Sequence, residues 1–132
     1  SGINNWEVMK KVLDGNNAVA RKLQKIGQIA REMDKALTLG QMKKVAALFD
    51  QEWKARKALA PTISTPHMNK LITGAKNKGA QAAKVCGAGG GGCIAFMVPS
   101  TKRESVISEL VRLNGQVIPF RFVQRGLRVQ TI

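Results

Sequence analysis

The sequence predicts an α+β domain in which an antiparallel sheet carries helices mainly on one face. Two observations lead there. The first half of the chain repeats its apolar residues at helical spacing, whereas the second half reads strand, strand, helix, strand, strand, with a glycine run between the first two strands.

From Asn16 to Leu37 the residues Val19, Leu23, Ile26, Ala30, Met33 and Leu37 recur at alternating steps of four and three, the spacing of one helical face. Arg21, Lys22, Lys25, Arg31, Glu32 and Lys35 make the opposite face charged. A coiled-coil seam fits this pattern too, but a core-facing helix fits it better, because the repeat lasts only about three heptads. Gly40 breaks the pattern, and a second helix carries Met42, Val45, Phe49 and Trp53 on its apolar side until Ala60-Pro61 ends it. Thr65-Pro66 then opens a helix: a hydroxyl at the N-cap accepts from an orphan amide, and proline at N1 lacks an N–H that would have had no partner. Met68, Leu71, Ile72 and Ala75 mark its buried face.

Residues 80–85 and 93–98 read as two short strands. Thr101-Lys102-Arg103-Glu104 has the form of a capping box, with Val106, Ile107, Leu110 and Leu113 behind it and Asn114-Gly115 as the stop. Residues 117–123 and 127–131 follow as strands, joined by a turn at Arg125-Gly126.

At 132 residues the chain fits a single domain, able to bury roughly two-thirds of the surface its unfolded form exposes. Ser1-Gly2 reads as the remnant of an expression tag. Cys86 and Cys93 show no metal-ligand spacing, and reduced thiols in a cytoplasmic protein are expected. No apolar run approaches the roughly 18 residues of a membrane helix. The 22 Lys and Arg against 8 Asp and Glu give a net charge of +14, which calls for solvated faces, an anionic small substrate or nucleic acid. Nucleic acid is the least favoured: there is no Tyr, and no basic stretch is interleaved with aromatics that could stack on bases.

Gly87-Ala88-Gly89-Gly90-Gly91-Gly92 is the most informative stretch. Five glycines in six residues carry a backbone entropy cost, and a plain hairpin needs one or two, seldom five. The run satisfies G-x-G-x-x-G, but a dinucleotide fingerprint must open a helix, and Cys93-Ile94-Ala95-Phe96-Met97-Val98 is a strand. A Walker loop fails as well, since Cys93-Ile94 stands where it needs Lys followed by Ser or Thr. Two readings stay open: a flexible hairpin between two strands, and a backbone loop whose N–H groups face an anion or pack against another phosphate-binding segment.

The stretch from Gly79 to Cys93, Gly-Ala-Gln-Ala-Ala-Lys-Val-Cys-Gly-Ala-Gly-Gly-Gly-Gly-Cys, resembles the third conserved motif of the GHMP kinases, which lies in that family's C-terminal domain. Glu52-Trp53-Lys54-Ala55-Arg56-Lys57 and Ile63-Ser64 resemble the segment before the glycine loop in the heptose-phosphate kinases, among the sugar kinases of that family. The resemblance runs from about Asn16 onward. It implies a ferredoxin-like antiparallel sheet with additional N-terminal helices, and residues 1–132 as the C-terminal half of a two-domain kinase. It also implies a glycine loop, Gly87, Ala88, Gly89, Gly90, Gly91 and Gly92, beside the nucleotide phosphates and the acceptor. ATP and Mg2+ would be bound mainly by an N-terminal domain, for whose serine-rich loop, magnesium-binding acid and catalytic aspartate no segment here has a counterpart. No residue of this chain is therefore expected to be catalytic or a metal ligand. Cys86 stands where the family often has Ser or Thr, so no hydroxyl is available there.

Lys54, Arg56 and Lys57, with Ser64 nearby, are the candidates for a phosphate on the acceptor, since cations can neutralise and hydrogen-bond such an anion. The bland alternative for these lysines and arginine is a solvated face. His67, at N2 of its helix with no acid nearby in sequence, is expected at the surface or in a cap and not as a general base. Trp53 is expected in the core. The expected partners are the N-terminal domain of the same kinase and a small sugar or sugar phosphate, with no membrane. The competing function is a free-standing basic α+β module that binds RNA or another polyanion.

Overall fold

A computed structural model of the protein describes residues 5–87, 89–127 and 129, apart from the side chains of Asn5 and Glu7. Helix α1 spans Asn5–Leu13, α2 Asn17–Thr38 and α3 Met42–Lys57; a 3-10 turn at Pro61–Ile63 leads into α4, Pro66–Asn77. Strand β1, Ala82–Val85, pairs antiparallel with β2, Ile94–Met97, in the register Ala82 opposite Met97 through Val85 opposite Ile94. A second 3-10 turn, Ser100–Lys102, precedes α5, Arg103–Arg112.

Local chemistry accounts for most boundaries. Asn16 Oδ1 accepts from the amides of Ala18 and Val19, both at 3.1 Å, and starts α2. Thr65 Oγ1 accepts from Met68 N–H at 3.1 Å, with Pro66 at N1, as the sequence leads one to expect for α4. The capping box expected at Thr101 does not form. Lys102 N–H donates instead to the Pro99 carbonyl at 2.9 Å, which tightens this entry into a 3-10 turn, and α5 begins with no side-chain cap. Helix α1 was not foreshadowed by the long periodic pattern; its nine residues are too few to show one, yet Val8 and Val12 join the core.

Trp53 is buried, as expected, with Val19, Ile63, Met68 and Val85 around it. Ile29, Ala36, Val45 and Leu48 form a second cluster between α2 and α3, and Ala75, Ala80 and Val106 a third between α4 and α5. Ala30, Leu37 and Met42, all assigned to apolar faces, are exposed, while Ile29, Ala36 and Val45 are buried between α2 and α3.

The larger correction concerns the C-terminal strands. Residues 117–123 form no strand, and the expected 127–131 strand lies mostly outside the described residues. Val117, Ile118, Phe120, Phe122, Val123, Leu127 and Val129 are exposed. Their backbone groups pair with no strand among the described residues, and a strand pattern becomes a strand only when it is paired. The α+β class stands, with a two-stranded sheet among the described residues.

One edge of that sheet is closed by helix α3. Asp50 Oδ1 accepts from Ala83 N–H at 3.0 Å, and its other oxygen takes Lys76 Nζ from α4. Glu52, 5 % exposed, holds Arg56 on its own helix (Nε to Oε1, 2.7 Å), and Lys84 Nζ of β1 lies 2.7 Å from Oε2 as an ion pair without hydrogen-bond alignment. Among the described residues the outer edge of β2 has no strand partner.

Asp50→Ala should cost about 1–3 kcal/mol in urea unfolding, because it strands the Ala83 amide and the Lys76 ammonium. Asp50→Asn, which can keep the Oδ1 acceptor, should cost less; equal losses for the two variants would show that the amide contact contributes nothing.

Candidate functional site

The glycine run joins two antiparallel strands and opens no helix, as its sequence context requires. At its base Cys86 N–H donates to the Cys93 carbonyl at 2.8 Å, continuing the ladder one step beyond β1 and β2. Within the loop Gly90 N–H donates to the Ile63 carbonyl at 3.0 Å, which docks the run on the 3-10 turn before Ser64. Gly89 has φ +89°, and a Cβ there would lie 2.6 Å from Ile63 O, so both backbone conformation and space demand glycine. The amides of Gly87, Gly91 and Gly92 have no hydrogen-bond partner among the described residues. Ala88 lies outside the described residues.

The four polar candidates are placed differently. Lys57 Nζ and Ser64 Oγ both donate to Asn69 Oδ1, each at 2.8 Å, so α3, the turn and α4 meet at one amide beside the segment that docks the loop. Arg56 is committed to Glu52, with Nη2 2.5 Å from Oε1. Lys54 is exposed and has no ion pair or hydrogen-bonded side chain among the described residues. His67 is exposed on the first turn of α4.

Sequence reasoning missed Asn69, Asp50, Glu52 and Lys84. Asn69 follows Ser64 by five residues on a helix whose apolar face was read correctly, but its polar face gave no signal. Glu52 stood inside the quoted Glu52-Trp53-Lys54 segment, and only burial reveals it as the anchor of Arg56 and Lys84. On α5 the Arg112 guanidinium, hydrogen-bonded to Glu109, holds that carboxyl below its ordinary value.

Among the described residues no three His, Cys, Asp or Glu side chains gather as a metal-ligand set, and no helix is long and apolar enough to cross a membrane. The chemistry on offer is that of a backbone: glycine amides in a hairpin loop that are unpartnered among the described residues, with Ser64, and Lys57 through Asn69, next to the turn that docks it.

The profile of the family described as GHMP kinases C terminal matches residues 17–115, from the first residue of α2 to the stop after α5. The chain belongs to this family. It is 28% identical over 122 residues to D-glycero-alpha-D-manno-heptose 7-phosphate kinase of Campylobacter jejuni, covering 92% of this chain and 36% of that protein. It is 29% identical over 130 residues to mevalonate kinase of Thermococcus sibiricus, covering 97% of this chain and 37% of that protein. In fold it is similar to L. major mevalonate kinase, solved in complex with R-mevalonate, at TM-score 0.70 and 20% identity, over 80% of this chain and 32% of the other. It also resembles Streptococcus pneumoniae phosphomevalonate kinase, solved in complex with phosphomevalonate and AMPPNP, at TM-score 0.58 and 25% identity, over 65% and 26%. This GHMP-kinase chain thus spans about a third of the relatives it matches.

Gly89→Ala should loosen the docked loop by about 1–3 kcal/mol, seen as a lower urea midpoint and faster amide exchange at Gly90. Gly87→Ala, at φ +79° but with nothing within 4 Å of the added Cβ, should carry only the backbone term of about 1–2 kcal/mol and leave Gly90 exchange unchanged. Identical Gly90 exchange in the two variants would remove the contact with Ile63 as the reason for glycine at 89.

Proposed function

We propose that this chain is the acceptor-side domain of an ATP-dependent small-molecule kinase, and that the acceptor is a sugar phosphate of the heptose-phosphate class. The observation that carries the first part is the hairpin loop with glycine amides unpartnered among the described residues, held against the turn at Ile63, in a chain of the GHMP kinase family. Phosphoryl transfer is catalysed mainly by positioning and charge stabilisation, so a backbone loop contributes without a reactive side chain. ATP, bound with Mg2+, supplies the γ-phosphoryl group. The loop amides here would face its phosphates, and Lys57 and Ser64 would hold the acceptor's anion.

The heptose-phosphate assignment has support from the Campylobacter jejuni relative and from the Lys57 ammonium held with Ser64 at Asn69. Mevalonate kinases match equally well, and mevalonate is therefore the rival acceptor. Its carboxylate would engage the same Lys57 ammonium, so the cation alone does not choose between them.

The partner is an N-terminal domain carrying the ATP loop, the metal ligand and the catalytic acid. Two features favour such a partner. The open edge of β2 and the exposed apolar residues between Val117 and Val129 are complementary needs, since an inserted strand would satisfy both and complete a ferredoxin-like sheet. A cytoplasmic location fits the same reading.

The test joins this chain to the upstream part of its native reading frame and assays ATP-dependent phosphorylation of heptose 7-phosphate and of mevalonate. The joined protein should favour the heptose phosphate, and the 132-residue chain alone should transfer to neither. Reproducible activity of the chain alone would overturn the division of labour, and a preference for mevalonate would overturn the acceptor assignment. Tight, steeply salt-dependent RNA binding with no kinase activity in the joined protein would favour the polyanion-binding alternative.

In the joined enzyme Lys57→Ala should raise KM for the phosphorylated acceptor about ten- to a hundredfold, the worth of a charge-assisted hydrogen bond, with KM for ATP nearly unchanged. Lys54→Ala should have the same direction and a smaller effect. Arg56→Ala should act chiefly on stability, since it deprives the buried Glu52 of a partner. Unchanged acceptor kinetics in both lysine variants would remove the phosphate-recognition role.

A further inference from the structure

The two free cysteines stand directly opposite each other across the base of the glycine loop. Extending the register of β1 and β2 by one step pairs Cys86 with Cys93, and the 2.8 Å bond from Cys86 N–H to the Cys93 carbonyl shows that the ladder reaches them. Opposite residues of an antiparallel pair present their side chains to the same face, and at a hydrogen-bonded pair their Cα atoms are about 5.5 Å apart. That separation lies inside the roughly 4.4–6.8 Å window of disulfides. Their Cβ atoms would need to draw together by up to about 1 Å. The flanking residues are Gly87 at φ +79° and Gly92 at φ +91°, neither with a neighbour inside ordinary contact, so the ends of the strands have room to adjust. Both thiols are exposed and open to a dissolved oxidant.

We propose that Cys86 and Cys93 are a redox modification site, forming a reversible intramolecular disulfide that closes the base of the glycine loop when a peroxide is present. One thiolate attacks an oxygen of hydrogen peroxide, the O–O bond breaks, and a sulfenic acid forms as hydroxide leaves, which takes up the proton that the thiol had released and becomes the first water. The second thiol then attacks the sulfenic sulfur; the S–S bond forms, the S–O bond breaks, and the hydroxyl departs with the thiol proton as a second water. Two electrons pass from the sulfurs to the peroxide, and a dithiol reductant reverses the change. Transient, exposed disulfides of this kind suit a reducing compartment. The pairing rests on strand register alone and stands whether or not the loop faces ATP. Under the kinase reading, it would tie the state of the phosphate-facing loop to the local oxidant level.

The test treats the dilute chain with hydrogen peroxide, alkylates it and measures intact mass and linked peptides. The result expected is a monomer lighter by about two mass units, with both alkylation sites lost together, a Cys86–Cys93 linked peptide, and full recovery on reduction. Cys86→Ser and Cys93→Ser should each abolish the linked species and leave the remaining cysteine trapped as sulfenic acid or in a dimer. Amide exchange within residues 87–92 should slow on oxidation of the unaltered chain. Disulfide-linked dimers as its main product, or sulfinic acid forming at either cysteine independently of the other, would overturn the proposal. So would a linked species that leaves loop exchange unchanged, since the bridge would then not constrain the loop.

Discussion

Helix α3 holds the sheet through charge. Asp50 accepts from the backbone of β1 and from α4, and Glu52 faces Lys84 on the same strand. These contacts set where β1 runs, and the course of β1 sets where the glycine loop emerges. The turn that ends α3 then supplies the Ile63 carbonyl on which Gly90 docks. A buried carboxylate such as Glu52 is costly unless matched, and here Arg56 and Lys84 match it. The ion pairs thus act less as a source of stability than as a means of fixing one placement of strand on helix.

The glycine loop is held in place by backbone contacts and not by side chains. A side chain at 89 would collide with the Ile63 carbonyl, and the positive φ there disfavours any residue with a Cβ. What the loop gains is amide groups that the hairpin itself leaves unpaired. The cations nearby are sorted by their partners: Arg56 is tied to Glu52, whereas Lys57 and Ser64 share Asn69 beside the docked turn. A uniform basic tract in the sequence therefore becomes one structural cation, one solvated cation and one positioned next to the loop.

The exposed apolar residues beyond Gly115 belong to the same logic. Their alternation is that of a strand, yet a strand exists only where an edge receives it. Among the described residues the outer edge of β2 is open, in a chain that spans about a third of its matched relatives.

The sequence by itself determined the helices from α2 to α5, the hairpin around the glycines and the membership in a kinase family, because periodicity, turn residues and a glycine motif are local signals. Val19, Leu23 and Met33 show the face of α2, and Thr65-Pro66 starts α4, without reference to anything distant in the chain. Only the tertiary structure decided that Asp50 and Glu52 grip β1, that Asn69 gathers Lys57 and Ser64, and that Cys86 meets Cys93, since each depends on which elements lie side by side. It also decided that residues 117–123 form no strand here, for pairing is a property of two segments and a sequence pattern describes only one.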